Sequence, residues 1–450
     1  MAQGTFRKAL VFAEPLLTRF NHLFPFLMYL YNHVFGRIQN VQVFLIKGLV
    51  KNTNYSVTTL FIGREESAYQ LAYLAYSEIE KMVSLGKFAS CQIDPSHLPE
   101  AEIIAVCVKK PLLGKFLKRG YLLLPYVSFS LNLRRSIDNI MKRSSRRRRR
   151  DIKRLESFNY SYTISRDNEN DFDFFYRKMY FPYTKKRFKR AAKFETYLGL
   201  KALYRRNGGI IFVKKEETPI AGILFQIRGE TLHALRSGVY EGDHNLIMDL
   251  AGQAALSFLI DWAKMKGMRS LDYGSTLPFF SDGIFAYKKE WGMFVEDHSN
   301  QLFCALKLNL NKGSFSFLRQ NPLIFVDKGV MKGVVLVDHR ATKVELQQIF
   351  SKYYLPKLGS LIVITYHSSN KGGINETEFS TTLENLSDPS IKPILNICLP
   401  LQKRGFNVEI YTFTNQKEAK KCQEARYCAR GSSNLVGMCA CGWFVECGTS

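Results

Sequence analysis

The chain has 450 residues, with 64 Lys and Arg against 39 Asp and Glu for a formal charge of +25, and 46% of it is hydrophobic and 23% charged. This balance excludes a disordered or collagen-like chain, and the length exceeds one ordinary core of roughly 100–200 residues. The cationic excess favours an anionic partner (a nucleotide-bearing cofactor, a tRNA, an anionic lipid surface or a phosphorylated sugar) and does not choose among them.

Residues 1–35 carry apolar clusters such as Leu23-Phe24-Pro25-Phe26-Leu27-Met28, interrupted by Glu14, Arg19, Asn21, His22 and Pro25. No unbroken run of about 18 apolar residues occurs, so no spanning helix is expected. Glu14 and Pro15 fall inside the only apolar stretch that a cleavable signal would need. The expectation is a cytoplasmic protein, with an amphipathic helix resting on a membrane as the alternative for this stretch.

Composition divides the chain into an N-terminal α/β region (1–140), a middle region (141–312) and a C-terminal α/β region (313–450). In the first, Val57–Ile62 reads as a strand, Ala68–Leu85 as a helix, and Ala101–Val108 and Tyr121–Leu131 as strands. The middle region opens on the run Arg146–Arg150. It continues with a strand at Tyr160–Ser165, helices at Phe172–Met179 and Tyr197–Arg206, and strands at Ile210–Lys214, Ile220–Arg228 and Thr231–Val239. The short polar breaks between the last three predict an antiparallel meander. A long helix is expected from Asn245 to Lys266, stopped by Gly267, then a strand at Arg269–Tyr273, a short helical segment and a strand pair between Phe294 and Leu308. The last region holds a helix at Lys343–Tyr354, a strand at Leu361–Ile364, a polar loop at Asn370–Ser390 and a helix-to-strand unit near Lys403–Tyr411. Five of the nine cysteines (Cys422, Cys428, Cys439, Cys441, Cys447) crowd the end of the chain. They form no CxxC pair and have no His nearby, so they read as reduced thiols and no metal is expected.

The order strand, two helices, meander, long helix, strand resembles the acyltransferase fold of the GNAT superfamily. Ser270-Leu271-Asp272-Tyr273-Gly274, Asp282-Gly283-Ile284 and Tyr287-Lys288-Lys289-Glu290-Trp291-Gly292 resemble its FemAB-like and BioF2-like branch, over residues 141–312. The resemblance implies an α/β fold with a GNAT-like mixed sheet and flanking helices, with room for a reduced tandem copy in the first region. It implies N-acyl transfer from an acyl-CoA, acetyl-CoA first, to an amine by direct attack through a tetrahedral intermediate. The usual Arg/Gln-x-x-Gly-x-Gly/Ala loop of coenzyme A binders is absent, which keeps an aminoacyl-tRNA donor open. A non-catalytic protein using a basic face for RNA or membrane phosphates is the alternative of another class.

By the same resemblance the cofactor would sit at the strand-to-helix junction, on Arg236, Gly238, Tyr240, Gly242 and Asn245, with Asp243 or Asn245 capping the helix. Lys288 is the first catalytic candidate, holding a phosphate or an oxyanion, against a solvated lysine beside Lys289. Asp272 at a strand end is a candidate base, against a turn with Gly274, and Glu241 is a second. Asp282 reads as a turn. Arg146–Arg150 is either a phosphate clamp, for tRNA among others, or a solvated helix face. Phe172–Tyr183 reads as core, with a wall of the acceptor pocket as its alternative, and His233 as a packed strand histidine.

Overall fold

The computed structural model describes residues 40–90, 93–94, 97–108, 116, 120–296, 302–309, 311–339, 341–368, 406–413, 436–438 and 444–446. The alternative for residues 1–35, the loop at 370–390 and the five crowded cysteines lie outside them.

β1 (Asn40–Val50) and β2 (Ser56–Gly63) form a hairpin, α1 (Glu65–Ala75) follows, and β3 (Tyr76–Ala89) runs back along β1. The helix expected to reach Leu85 therefore ends ten residues early. Tyr76, Ile79 and Met82 mimic a helical repeat, but three irregularities in the β1–β3 ladder shift the pleat and turn these side chains inward along a strand. β4 (Ile103–Val106) lies parallel to β2. The single strand expected over Tyr121–Leu131 is two, β5 (Leu122–Pro125) and β6 (Val127–Asn132), and they belong to different sheets. Pro125 has no N–H to continue a ladder, so the chain changes sheets there.

α2 (Ile137–Arg143) and α3 (Arg146–Leu155) are capped by the Ser136 and Ser145 side chains. β7 (Tyr160–Ser165) leads to α4 (Glu169–Phe174), a π-helical turn at Phe175–Tyr180, α5 (Phe181–Phe188) and α6 (Tyr197–Arg205). The meander forms as expected from β8 (Gly208–Lys215), β9 (Thr218–Arg228) and β10 (Thr231–Val239). The long helix is broken into α7 (His244–Met248) and α8 (Ala251–Met265), with Leu250 between them in the left-handed region at φ 64°. β11 (Ser270–Thr276), α9 (Gly283–Glu290) and β12 (Phe294–Glu296) complete this part. β13 (Leu302–Leu308), α10 (Lys312–Gln320), β14 (Leu323–Asp327), β15 (Val330–Val337), α11 (Lys343–Tyr353), β16 (Ser360–Ser368) and β17 (Phe406–Phe413) follow.

The fold is mixed α/β, with helices flanking two mixed sheets. One sheet runs β12-β6-β11-β10-β9-β8-β7 and the other β17-β16-β15-β14-β5-β13-β4-β2-β1-β3. The two are interlocked by exchange. β6, from the first region, sits beside β11 in the seven-stranded sheet, while β13 leaves the middle region to pair with β4 and β5 in the ten-stranded one. The expected pair between Phe294 and Leu308 is thus split between sheets, and boundaries at 140 and 312 cut across both. The cores are shared too: Val127, Phe129, Leu256, Leu271 and Trp291 lie in one buried cluster with Met331, Val335, Phe350 and Leu361.

Candidate active site

β10 and β11 pair in parallel over three residues only, Thr231–His233 against Ser270–Asp272. Each strand then carries an irregularity, between Ala234 and Arg236 in the β9–β10 ladder and between Asp272 and Ser275 in the β6–β11 ladder. Beyond His233 and Asp272 the two strands part, leaving a wedge in the sheet.

A cleft of about 510 Å³ occupies the wedge. Ser237 and Val239 from β10 and Tyr273 from β11 form its two sides, and Tyr287 of α9 and the start of α8, at Gly252 and Gln253, close it. Lys186 and Arg187 of α5 stand at its rim. No side chain caps α8, whose N-cap is Leu250, and Gly252 and Gln253 of its first turn line the cleft, beside the positive end of its dipole. Gly252 keeps the approach open: a Cβ there would meet nothing nearer than the Val239 Cγ2 at 4.0 Å. Burial pushes the hydroxyls of Tyr273 and Tyr287 above the ordinary phenol range, so both serve as neutral hydrogen-bonding groups.

The cation and acid singled out in the sequence flank the apex. Lys288 is 3% exposed, and its Nζ donates to the Gly274 carbonyl (2.8 Å) and the Ser275 carbonyl (3.2 Å) while lying over the rings of Phe129 and Tyr273. Burial drives its pKa down to about 7, against the opposing pull of Asp272 and Asp282. Asp272 accepts the Gly274 N–H (2.8 Å) on one oxygen and meets His233 Nδ1 (2.8 Å) on the other. Burial raises its carboxyl, but the His233 and Gly274 hydrogen bonds and the charge of Lys288 outweigh it and hold the group below the usual carboxylate range. His233 is therefore not a packed strand histidine. Its partner lies 39 residues away, and only the parallel register of β10 and β11 puts the two opposite each other. Asp282 caps α9 by accepting the Phe285 N–H, and burial raises its carboxyl.

Of the residues expected to hold a cofactor, Gly242 lines the cleft. Arg236 is paired with Glu195. A Cβ at Gly238 would fall 2.5 Å from the Met179 carbonyl carbon, so this glycine admits the π-helical turn against β10. Tyr240 stacks on Phe174, and the Asn245 N–H is taken by Asp243, which caps the short α7 and not the long helix. Glu241 is half-buried and paired with Lys178 at 3.1 Å.

The arginine run does not present five free cations. Arg148 is buried between the rings of Tyr287 (4.9 Å) and Trp291 (5.1 Å) and bonds Glu290 at 2.9 Å, and Arg149 donates to the Ser144 carbonyl at 2.6 Å. Phe172, Phe175, Met179 and Tyr180 are core, whereas Tyr183 reaches the cleft. Among the described residues no three His, Cys, Asp or Glu side chains converge as a metal site, and no helix is long and apolar enough to cross a membrane.

No protein-family model matches the chain, and no curated protein matches it. Among solved structures it is similar to a crystal structure of FemX, at 13% identity and a TM-score of 0.33 over 61% of this chain and 86% of that one. It is similar also to L-PGS from Bacillus licheniformis, at 12% identity and a TM-score of 0.30 over 61% and 87% of the two chains. A GCN5-related N-acetyltransferase from Kribbella flavida matches at 8% identity and a TM-score of 0.23 over 73% and 71%.

Proposed function

We propose that the chain is an N-acyltransferase that carries an acyl group from an acyl-CoA, acetyl-CoA first, to an amine held at the apex of the wedge. The observation that carries this reading is the cleft between the parted ends of β10 and β11, closed by the uncapped start of α8 and flanked by Lys186 and Arg187. Free helix N–H groups and two cations suit a pyrophosphate. The parted strands open a slot between β10 and β11, which suits an extended arm. Lys288 has a structural part in this reading: it ties the Gly274–Ser275 bulge to α9 and keeps β11 bent away from β10. Glu241 has none.

Binding of coenzyme A tests the donor. CoA at a hundredfold excess over its Kd raises the apparent stability by about 2.7 kcal/mol, and a Lys186→Glu, Arg187→Glu double variant, which removes two phosphate-facing cations, binds at least tenfold more weakly. No stabilisation by either CoA or acetyl-CoA removes the donor assignment.

Aminoacyl-tRNA is the second reading, favoured by one surface. Lys185, Lys189 and Arg190 continue the basic rim of the cleft on and just beyond α5, beside the exposed rings of Phe181 and Phe194, which stack at 4.7 Å. A cationic track with a ring platform suits a single-stranded nucleic-acid end. Stabilisation by tRNA without any by CoA selects this donor.

A further inference from the structure

We propose that His233 and Asp272 form the proton-accepting dyad of this site, with His233 Nε2 taking the proton from the attacking amine. This rests on the acyl-transfer reading and assigns it a general base.

The argument begins with position. His233 and Asp272 are the last opposed pair before β10 and β11 separate, so their side chains stand at the closed end of the wedge. Ser237 and Val239, on the cleft wall, lie four and six residues further along the same strand, ~13–20 Å at the usual strand rise. A donor anchored by its anionic end at α8 therefore needs an extended arm to bring its carbonyl to the dyad, and this favours a long-armed phosphorylated carrier.

Chemistry follows from the hydrogen bonds. Asp272 is ionised, held by the Gly274 N–H and by the nearby Lys288 charge, so it accepts from Nδ1–H of His233. That fixes the tautomer and leaves Nε2 as the acceptor. Among the described residues Nε2 takes no hydrogen bond, and the His233 side chain is 22% exposed, open enough for a substrate to reach it. The other charged groups around the pair are Lys288 from α9, Arg236 on β10, and Glu296 from β12, whose carboxylate is bonded to Ser130, the residue opposite Asp272 on β6.

In the step itself the amine nitrogen forms the new C–N bond at the thioester carbonyl, and the carbonyl π pair moves onto oxygen. As the intermediate collapses, the C–S bond breaks with its electron pair on sulfur. The amine proton passes to Nε2 and from there to the departing thiolate. The imidazolium formed meanwhile is stabilised by Asp272.

The test is thiol release from acetyl-CoA by the full chain, with glycinamide, lysine amide and glucosamine as probe amines. His233→Gln is expected to lower kcat/KM about 100-fold or more. Its CoA affinity stays that of the wild type, because His233 does not line the cleft. Free imidazole restores part of the rate of His233→Ala, and Asp272→Asn loses rate by releasing the wrong tautomer. Wild-type turnover matched by His233→Gln overturns the dyad and leaves acyl transfer standing. No turnover by the wild-type chain with any probe amine overturns both.

Discussion

Lys288 donates both of its short hydrogen bonds to main-chain carbonyls and lies almost wholly out of water. Its pKa of about 7 compares with 10.5 for a solvated lysine. Between these two values the unfolded chain holds a proton that the folded chain has released. Stability contributed through this group therefore rises with pH across that window, with a slope of at most about 1.4 kcal/mol per pH unit. Lys289, lowered to about 8 by burial, acts in the same direction, so the informative quantity is the difference between the wild type and Lys288→Met. Urea midpoints measured from about pH 7 to about pH 9 should climb more steeply for the wild type than for the variant. Parallel curves would show that Lys288 keeps its solution pKa and is not buried as described. The sequence singled this residue out as a catalytic cation but gave no sign of what it touches, because its partners are backbone carbonyls that any residue supplies.

At the scale of elements, the legible parts were those whose pattern is local. The meander from β8 to β10 follows from the polar breaks between its apolar runs, and α6 and α11 form where helices are expected, over Tyr197–Arg205 and Lys343–Tyr353. What escaped was set by partners distant in sequence. Between Asn245 and Lys266 the apolar period runs through Leu250, and Gly252, the stretch's one glycine, stands two residues past the break; the left-handed turn falls on the leucine and begins α8 beside the cleft. The arginine run misleads for a related reason. Five consecutive arginines on a helix point in different directions, and tertiary packing selects one. Arg148 joins α3 to α9 through two aromatic rings and the partly exposed Glu290, so Arg148→Ala should cost about 1–3 kcal/mol, from the lost charge-assisted hydrogen bond and ring contacts. Arg146→Ala and Arg150→Ala, on the exposed side, should stay within about 0.5 kcal/mol. Equal losses at the three positions in chemical denaturation would contradict this division.

Across the whole molecule, the exchange of β6 and β13 decides what can fold alone. A segment from 141 to 312 contains all the helices and strands of the GNAT resemblance, yet it lacks β6, to which both β11 and β12 are hydrogen-bonded. Without β6, β12 has no place in the sheet and β11 becomes an edge beside the proposed site. Val127, Phe129 and Leu131 would also leave the core cluster that holds Leu271, Phe285 and Trp291, exposing a wide apolar surface. The isolated segment should therefore show no cooperative thermal transition and should aggregate or bind hydrophobic dyes. A segment from 126 to 296 restores the missing strand and gives up β13, which belongs to the other sheet, and should recover a measurable transition. In the intact chain the shared core extends through Met331, Phe350 and Leu361, so calorimetry should find the two sheets melting in one step. Two resolved transitions would mean that the exchange does not couple them. The wedge would then be held by its own sheet alone, and the geometry around His233 and Asp272 would not depend on the strands that cross over.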